Sequence, residues 1–158
     1  MQQLLVIGAL IILGSLILTF NRSTQNVNAN NYFNLALIDA TASAQSLIET
    51  IQTKAFDEKT VSSNVASTSD LTAVGSLGRD AGESLTTHFD DIDDYKNYTE
   101  IDTFLQFGQF ALSVEVNYVQ KYSPETVSIT PTFLKKIDVT VTNSYLAHSL
   151  TLSRIISY

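Results

Sequence analysis

Residues 1–20 of the chain read MQQLLVIGALIILGSLILTF, an apolar block without one charged side chain. A helix needs about 20 predominantly apolar residues to cross a bilayer, and this block is about that long. We therefore expect an apolar helix that must be covered by lipid or by other copies of the chain. We expect ten large aliphatic side chains to make that contact, namely Leu4, Leu5, Val6, Ile7, Leu10, Ile11, Leu13, Leu16, Ile17 and Leu18.

The block differs from a cleaved secretory signal, which begins with a basic region and ends at a small-residue cleavage site. Residues 1–3 are Met-Gln-Gln, and Asn21 and Arg22 follow the apolar part. We therefore expect the segment to be retained. By the positive-inside rule, Arg22 alone would place the rest of the chain in the cytoplasm. A basic leader removed upstream of Met1 would reverse that orientation, and we favour the leader.

Helical periodicity continues after the block. Apolar residues recur at steps of three and four and form one predicted stripe, namely Phe33, Leu37, Ala40, Ala44, Leu47, Ile51 and Ala55. Residues 21–31 between the two apolar parts are polar, and we expect the helix to loosen there or near Gly14-Ser15. The prediction is one long helix over 1–55, with 1–27 as an assembly or transmembrane helix and 28–158 as a globular domain.

The rest of the chain changes from loop to strand. Residues 57–103 are rich in Ser, Thr, Asp and Gly and are predicted to be a loop, with strands from about 104 to 158. Period-two alternation marks strands at 110–118, at 137–141 and from 150 onward. Residues 123–126 and Pro131 bound the first strand, and residues 143–147 are predicted to turn the chain. Short connections favour antiparallel pairing, and the helical stripe can cover the apolar face of the sheet. The predicted class is α+β.

Composition excludes several function classes. The net charge is −7, which argues against nucleic acid as a partner, because phosphate binding needs clustered Lys and Arg. The chain has no Cys, so disulfides, thiol catalysis and cysteine zinc sites are excluded. We find no constellation of nucleophile and base, and we expect no enzyme activity and no cofactor other than the calcium considered below.

The layout and three stretches resemble the type IV pilins. These stretches are the apolar start QQLLVIGALIILGSLIL, the acidic segment FDDIDDYKNY, and the end LKKIDVTVTNSYLAHSLTLSRIIS. The acidic segment looks like one in some bacterial minor pilins of the mannose-sensitive haemagglutinin type. The resemblance implies a long N-terminal helix packed on a C-terminal antiparallel sheet. It also implies a precursor held in the inner membrane, extracted by the pilus assembly machinery into an extracellular helical filament of identical subunits.

Two features differ from the pilin pattern. Pilins usually carry Glu at the fifth mature position, where this sequence has Leu5, and they often have a proline near the end of the apolar helix, whereas the two prolines here are Pro124 and Pro131. The chain is then either a divergent subunit or one whose mature start is not Met1. Other roles also stay open, namely a minor pilin, a secretion-system pseudopilin, or a periplasmic binding domain anchored by residues 1–20.

The acidic segment is the candidate metal site. Asp90, Asp91, Asp93 and Asp94 supply the oxygen ligands that Ca²⁺ prefers, although the spacing is not that of an EF-hand. The alternative is a solvated loop whose carboxylates cap turns. We also expect the pair Lys135 and Lys136 to meet the acidic segment of a neighbouring subunit.

Overall fold

The computed structural model describes residues 2–158, and Met1, where we place the start of the apolar helix, lies outside the described residues. The fold is α+β: a 50-residue helix, α1 (Gln2–Ile51), lies against a five-stranded antiparallel sheet. At 1.5 Å per residue α1 is about 75 Å long. Only its second half is covered by the rest of the chain, because its buried residues run from Ala36 to Ile51.

The expected loosening of the helix near Gly14-Ser15 or within 21–31 is wrong, because α1 is continuous through both places. Hydroxyl side chains there donate to carbonyls of their own helix. Ser15 Oγ donates to the carbonyl oxygen of Ile12 at 2.8 Å, and Thr24 Oγ1 donates to that of Phe20 at 3.0 Å. Both hydroxyl groups are thus paired with the backbone of their own helix, which does not end there.

The buried face of α1 is made of small and branched side chains, and it only partly matches the predicted stripe. Phe33 and Leu37 are half-buried, and Ala55 lies after the helix has ended. The buried residues are Ala36, Ala40, Ser43, Ala44, Leu47, Ile48 and Ile51. Alanine at three of the first four buried positions lets the helix approach β4 and β5 closely.

Residues 57–103 contain more structure than the predicted loop. A short helix, α2 (Glu58–Val61), follows α1, and single 3₁₀ turns lie at Thr68–Asp70, Val74–Ser76 and Asp93–Tyr95. Their small number of internal backbone bonds leaves the segment dependent on contacts with the rest of the chain.

The sheet has five strands instead of the three predicted from alternation. They are β1 (Thr99–Phe104), β2 (Gly108–Gln120), β3 (Ser123–Val127), β4 (Leu134–Thr142) and β5 (Leu150–Ser157). The order is β1-β2-β4-β5, with β3 paired to the end of β2, and every pairing is antiparallel. Residues 123–126, expected to bound the first strand, lie after the end of β2 and themselves form the short strand β3, whereas 143–147 is irregular as predicted.

The inner face of the sheet follows the predicted alternation. The buried side chains on this face are Phe110, Leu112, Val114, Val116 and Tyr118 along β2, and Lys135, Ile137, Val139 and Val141 along β4. The cross-strand pair Tyr118–Lys135 stands at the end of this face nearest to where α1 ends. A charged residue thus occupies a position that the alternation assigns to the core.

Candidate functional site

The first candidate site is a buried polar cluster where α1 ends. Ala55 and Asp91 form a parallel bridge, in which Ala55 N donates to the carbonyl oxygen of Asp90 at 3.0 Å and Ile92 N donates to that of Ala55 at 2.9 Å. This bridge brings the start of α2 beside the acidic segment. Asp57, the N-cap residue of α2, is then next to residues 91–94 although more than thirty residues separate them in the chain.

Lys135 occupies the centre of the cluster and is fully buried. Its Nζ donates to the carbonyl oxygen of Phe56 at 2.7 Å, to Asp57 Oδ2 at 3.0 Å and to Asp93 Oδ1 at 2.5 Å, so all three ammonium hydrogens have acceptors. The rings of Phe56 and Tyr118 flank the ammonium, with centroids at 4.6 and 4.8 Å. The expected contact of Lys135 with a neighbouring subunit's acidic segment is therefore wrong: the contact lies within one chain.

Asp57 collects the largest number of donors in the cluster. It accepts from the backbone N–H of Lys59, from the N–H and hydroxyl of Thr72, from the phenol of Tyr118 at 2.5 Å, and from Lys135. Burial alone would raise the pKa of Asp57, but the Tyr118 hydrogen bond and the Lys135 charge outweigh it and lower the pKa to about 2. Asp57 is thus an ionised structural carboxylate.

Tyr118 is the neutral donor in its hydrogen bond with Asp57. Burial, followed by the hydrogen bond to Asp57, raises the pKa of its phenol far above the usual value, so the hydroxyl keeps its hydrogen. The carbonyl oxygen of Thr72 lies 3.0 Å from the same hydroxyl.

The acidic segment divides into three kinds of aspartate, which the sequence did not distinguish. Asp90 is exposed. Asp94 is buried and accepts from the N–H groups of Asp90 and Asp91 at 3.0 and 3.3 Å, while Asp91 Oδ1 accepts from Asp94 N at 3.1 Å. Asp91 and Asp93 are buried, and within the described residues the Oδ2 atom of each has no hydrogen-bond donor.

These environments raise the pKa values of the buried aspartates. Burial, followed by the charges of Asp93 and Asp94, raises the pKa of Asp91 to about 8. Burial also raises the pKa of Asp93 to about 6, because it outweighs the opposing charge of Lys135. For Asp94, burial and the hydrogen bond with Glu83 raise the pKa to about 7. The two carboxylates that share Lys135 therefore have different pKa values, because Asp57 accepts from several further donors and Asp93 does not.

Asp91 and Asp93 line a polar cavity of about 300 Å³. Its other walls come from α2 and from the segment after it, namely Glu58, Lys59, Leu71, Thr72, Ala73, Ser76, Gly78 and Asp80. A separate acidic group lies outside this cavity, where carboxylate oxygens of Glu83, Asp90 and Asp94 are all within 4.8 Å of one another. The four aspartates of the predicted calcium site therefore lie in two different places.

Sequence reasoning missed Asp57, Tyr118 and Lys135 as members of this cluster. For two of them a signal was present. Tyr118 and Lys135 stand at inward positions of the alternating patterns that continue from Val116 and back from Ile137. Asp57 carries no comparable signal, because its burial depends on the turn that follows α1.

The second candidate site is the first half of α1. The ten predicted contact residues are all exposed, from 54% for Leu13 to 74% for Leu4 and Leu5. This part of α1 is long and apolar enough to cross a membrane, and none of that span is buried by the rest of the chain. A helix that is apolar on all sides requires an apolar environment around its whole circumference.

The glycines of this segment have no role inside the chain. A Cβ atom added at Gly8 or at Gly14 would meet no atom within 4 Å. Glycine inside a helix is less favourable than alanine by about 1 kcal/mol. Space at these two positions is therefore available to something outside the chain.

Comparison with known proteins gives no relative: no protein-family model, no curated protein and no solved structure matches this chain.

Proposed function

We propose that the chain is a structural subunit of an extracellular, type IV pilus-like filament, held together by a bundle of N-terminal helices. The observation that carries the proposal is the apolar, exposed half of α1, together with a folded domain attached at its other end. A continuous exposed apolar surface as long as a membrane span marks a contact with lipid or protein. The layout of one long helix on an antiparallel sheet is compatible with the pilin resemblance of the sequence.

Assembly is the proposed mechanism. Before assembly the first half of α1 resides in the inner membrane, and the assembly machinery then moves the subunit into the filament. Moving from lipid into a bundle of apolar helices exchanges one apolar environment for another, so the step need not be strongly unfavourable. Gly8 and Gly14 support close helix packing, since small residues let helix backbones approach.

The geometry of a filament follows from a repeated contact. A head-to-tail interface that does not close into a ring generates an open helical polymer. In this arrangement residues 1–27 form the centre and residues 28–158 form the outer layer. A net charge of −7 on each subunit suits a solvated outer layer.

A second candidate function is a membrane-anchored domain on the outer side of the inner membrane. It is favoured by the same span, since α1 has the length and composition of a single transmembrane helix. In this role the chain stays monomeric in lipid, and its globular part binds a partner.

Electron microscopy of the native protein separates the two functions. The filament proposal expects threads in material sheared from cells, with a mass per unit length that requires many subunits. Single particles embedded in vesicles, without threads, would contradict it and favour the anchored domain. Abundant long fibres indicate that the chain is a major subunit. Presence of the chain only at fibre tips indicates a minor pilin, and short fibres indicate a pseudopilin.

A further inference from the structure

We propose that the cavity beside Asp91 and Asp93 binds a hard divalent cation, with Ca²⁺ as the expected ion. This site differs from a site formed by all four aspartates, because it uses only the two that line the cavity. It is also independent of filament assembly, since all of its residues belong to the globular part of one chain.

Two buried carboxylate oxygens without donors carry the proposal. Asp91 is 1% exposed and Asp93 is 2% exposed, and the Oδ2 atom of each lacks a hydrogen-bond donor among residues 2–158. Buried polar atoms are nearly always satisfied, and an ion is one of the ordinary explanations for an exception. Two such atoms on residues that line one polar cavity therefore indicate a common ligand that is positively charged.

The lining of the cavity has more acidic than basic side chains. Glu58, Asp80, Asp91 and Asp93 bring four acidic groups, against one ammonium group from Lys59. This excess favours a cation of more than one charge over a neutral ligand. Lys135 is already saturated by three acceptors and cannot also serve the free oxygens.

The other walls of the cavity favour oxygen coordination. Ca²⁺ takes about six to eight oxygen ligands from carboxylates, carbonyls, hydroxyls and water. Ser76 and Gly78 are among the lining residues, and Glu58 and Asp80 add two acidic side chains. His and Cys are absent from the lining, so the donor set is that of a hard cation.

The neighbouring acidic group of Glu83, Asp90 and Asp94 serves as the comparison. Its oxygens are close together, but one Asp94 oxygen already accepts two backbone N–H groups, and Asp90 is exposed. None of its three residues has a buried oxygen without a partner. The proposed ion therefore belongs to the cavity of Asp91 and Asp93.

The test uses the purified full-length chain in detergent, stripped with EDTA and then titrated with CaCl₂ or MgCl₂. Binding is measured by calorimetry, and the melting temperature by circular dichroism. We expect saturable binding of one Ca²⁺ and a rise in melting temperature of about 5 to 10 °C at 100 times Kd. Stronger binding of Mg²⁺ than of Ca²⁺ would support the proposed site and would show that the ion it prefers is the smaller one.

Matched variants locate the ion. Asp91→Asn keeps the Oδ1 acceptor for Asp94 N but removes the charged free oxygen, and we expect Ca²⁺ affinity to fall by at least about 10-fold. In EDTA this variant should melt at or above the temperature of the unaltered protein, because burial disfavours the charged form of the Asp91 carboxyl group and asparagine carries no charge. Glu83→Gln should keep Ca²⁺ affinity within about twofold of the unaltered protein.

Three results would overturn the proposal. The first is no binding of either ion to the unaltered chain at 10 mM, a measurement that needs no variant to fold. The second is loss of binding in Glu83→Gln but not in Asp91→Asn, which would place the ion in the neighbouring group. The third is an Asp91→Asn protein that gains as much stability from Ca²⁺ as the unaltered chain.

Discussion

Lys135 on β4 and Asp57 at the start of α2 are 78 residues apart in the chain, yet Lys135 Nζ lies 3.0 Å from Asp57 Oδ2 in a fully buried ion pair. The pair joins the sheet to the segment that follows α1, and Asp93 attaches the acidic segment to the same ammonium. Lys135 therefore connects three parts of the fold, namely β4, the start of α2 and the acidic segment.

Replacing this lysine should be strongly destabilising. Lys135→Met retains the aliphatic stem but leaves Asp57 and Asp93 buried without their cation. Loss of one partner of a buried ion pair costs about 3–5 kcal/mol, which corresponds to a fall in melting temperature of about 10 °C or more. Thermal unfolding followed by near-ultraviolet circular dichroism measures the change.

The adjacent lysine provides the control. Lys136 points to the opposite face of β4 and pairs with Asp138 at 3.0 Å, where both side chains are partly exposed. Exposed ion pairs contribute about 0–1 kcal/mol, so Lys136→Met should leave the melting temperature almost unchanged. Equal changes in melting temperature for the two substitutions would show that the buried ion pairs of Lys135 contribute no more to stability than the exposed pair of Lys136.

The phenol of Tyr118 should contribute less than Lys135 but measurably. Tyr118→Phe removes the hydroxyl that donates to Asp57 Oδ2 and leaves the ring in place. Hydrogen bonds to charged groups contribute about 1.5–3 kcal/mol, and the free energy of unfolding should fall by that amount. Tyr122→Phe is the control, because Tyr122 is 90% exposed and should tolerate the change within about 0.5 kcal/mol.

Acid should remove the contribution of Asp57. Burial raises the pKa of Asp57, but the hydrogen bond from Tyr118 and the charge of Lys135 outweigh burial and give a folded pKa of about 2 in place of 3.8. A lowered folded pKa means that the stabilisation is present above the unfolded pKa and is lost as pH falls through the folded pKa. The expected loss is about 2 kcal/mol between about pH 5 and pH 2.

Comparison with Asp57→Asn isolates this effect from other titrations. The difference in free energy of unfolding between the unaltered chain and the variant should narrow as the pH falls from about 4 to about 2, the range in which the Asp57 carboxylate titrates. A difference that stays constant down to pH 2 would show that the Asp57 carboxylate is not held ionised by its donors.

The fold class was predictable because each element carries a periodic signal of its own. Alternation over 110–118 and 137–141 identified the inner face of the sheet, and the helical stripe identified the side of α1 that covers it. The strands that sequence reasoning missed have weak signals. In β1, Ile101 is exposed, and β3 contains Pro124, which is confined to edge strands or strand ends.

The polar cluster was less predictable for a physical reason. A charged side chain is normally solvated, so sequence alone favours a surface position for Lys135, although it stands two residues before Ile137 on the inward side. Its burial becomes tolerable only with acceptors from Asp57 and Asp93, and those acceptors come from distant parts of the chain. Local pattern shows which face a residue occupies, but not which long-range partners make that position stable.

The globular part should fold without the apolar segment. Among the described residues of α1, the first buried one is Ala36, so removal of residues 1–27 exposes no internal contact. A chain shortened to residues 28–158 should be monomeric in water and should melt cooperatively. A chain shortened to residues 45–158 lacks Ala36, Ala40 and Ala44 and should not, because the inner face of the sheet loses part of its cover. Cooperative melting of both, or of neither, would contradict this division of α1.

Filament assembly should depend on the apolar half of α1 and not on its polar continuation. Leu10→Asp or Leu13→Asp places a charge where the proposed bundle has no water, at a cost of about 2.5–3.5 kcal/mol or more at the middle of an apolar span. Both positions are exposed in the single chain, so folding of residues 28–158 should be unaffected. Asn30→Asp is the control, because it adds the same charge to α1 at an exposed position in the polar part.

Electron microscopy of cells that produce each variant should show filaments only for the unaltered chain and Asn30→Asp. Normal filaments from the Leu10 and Leu13 variants would mean that subunits do not meet through this helix. Loss of membrane insertion in those variants, measured by fractionation, would indicate that the charge acts before assembly, at the stage when the helix resides in lipid.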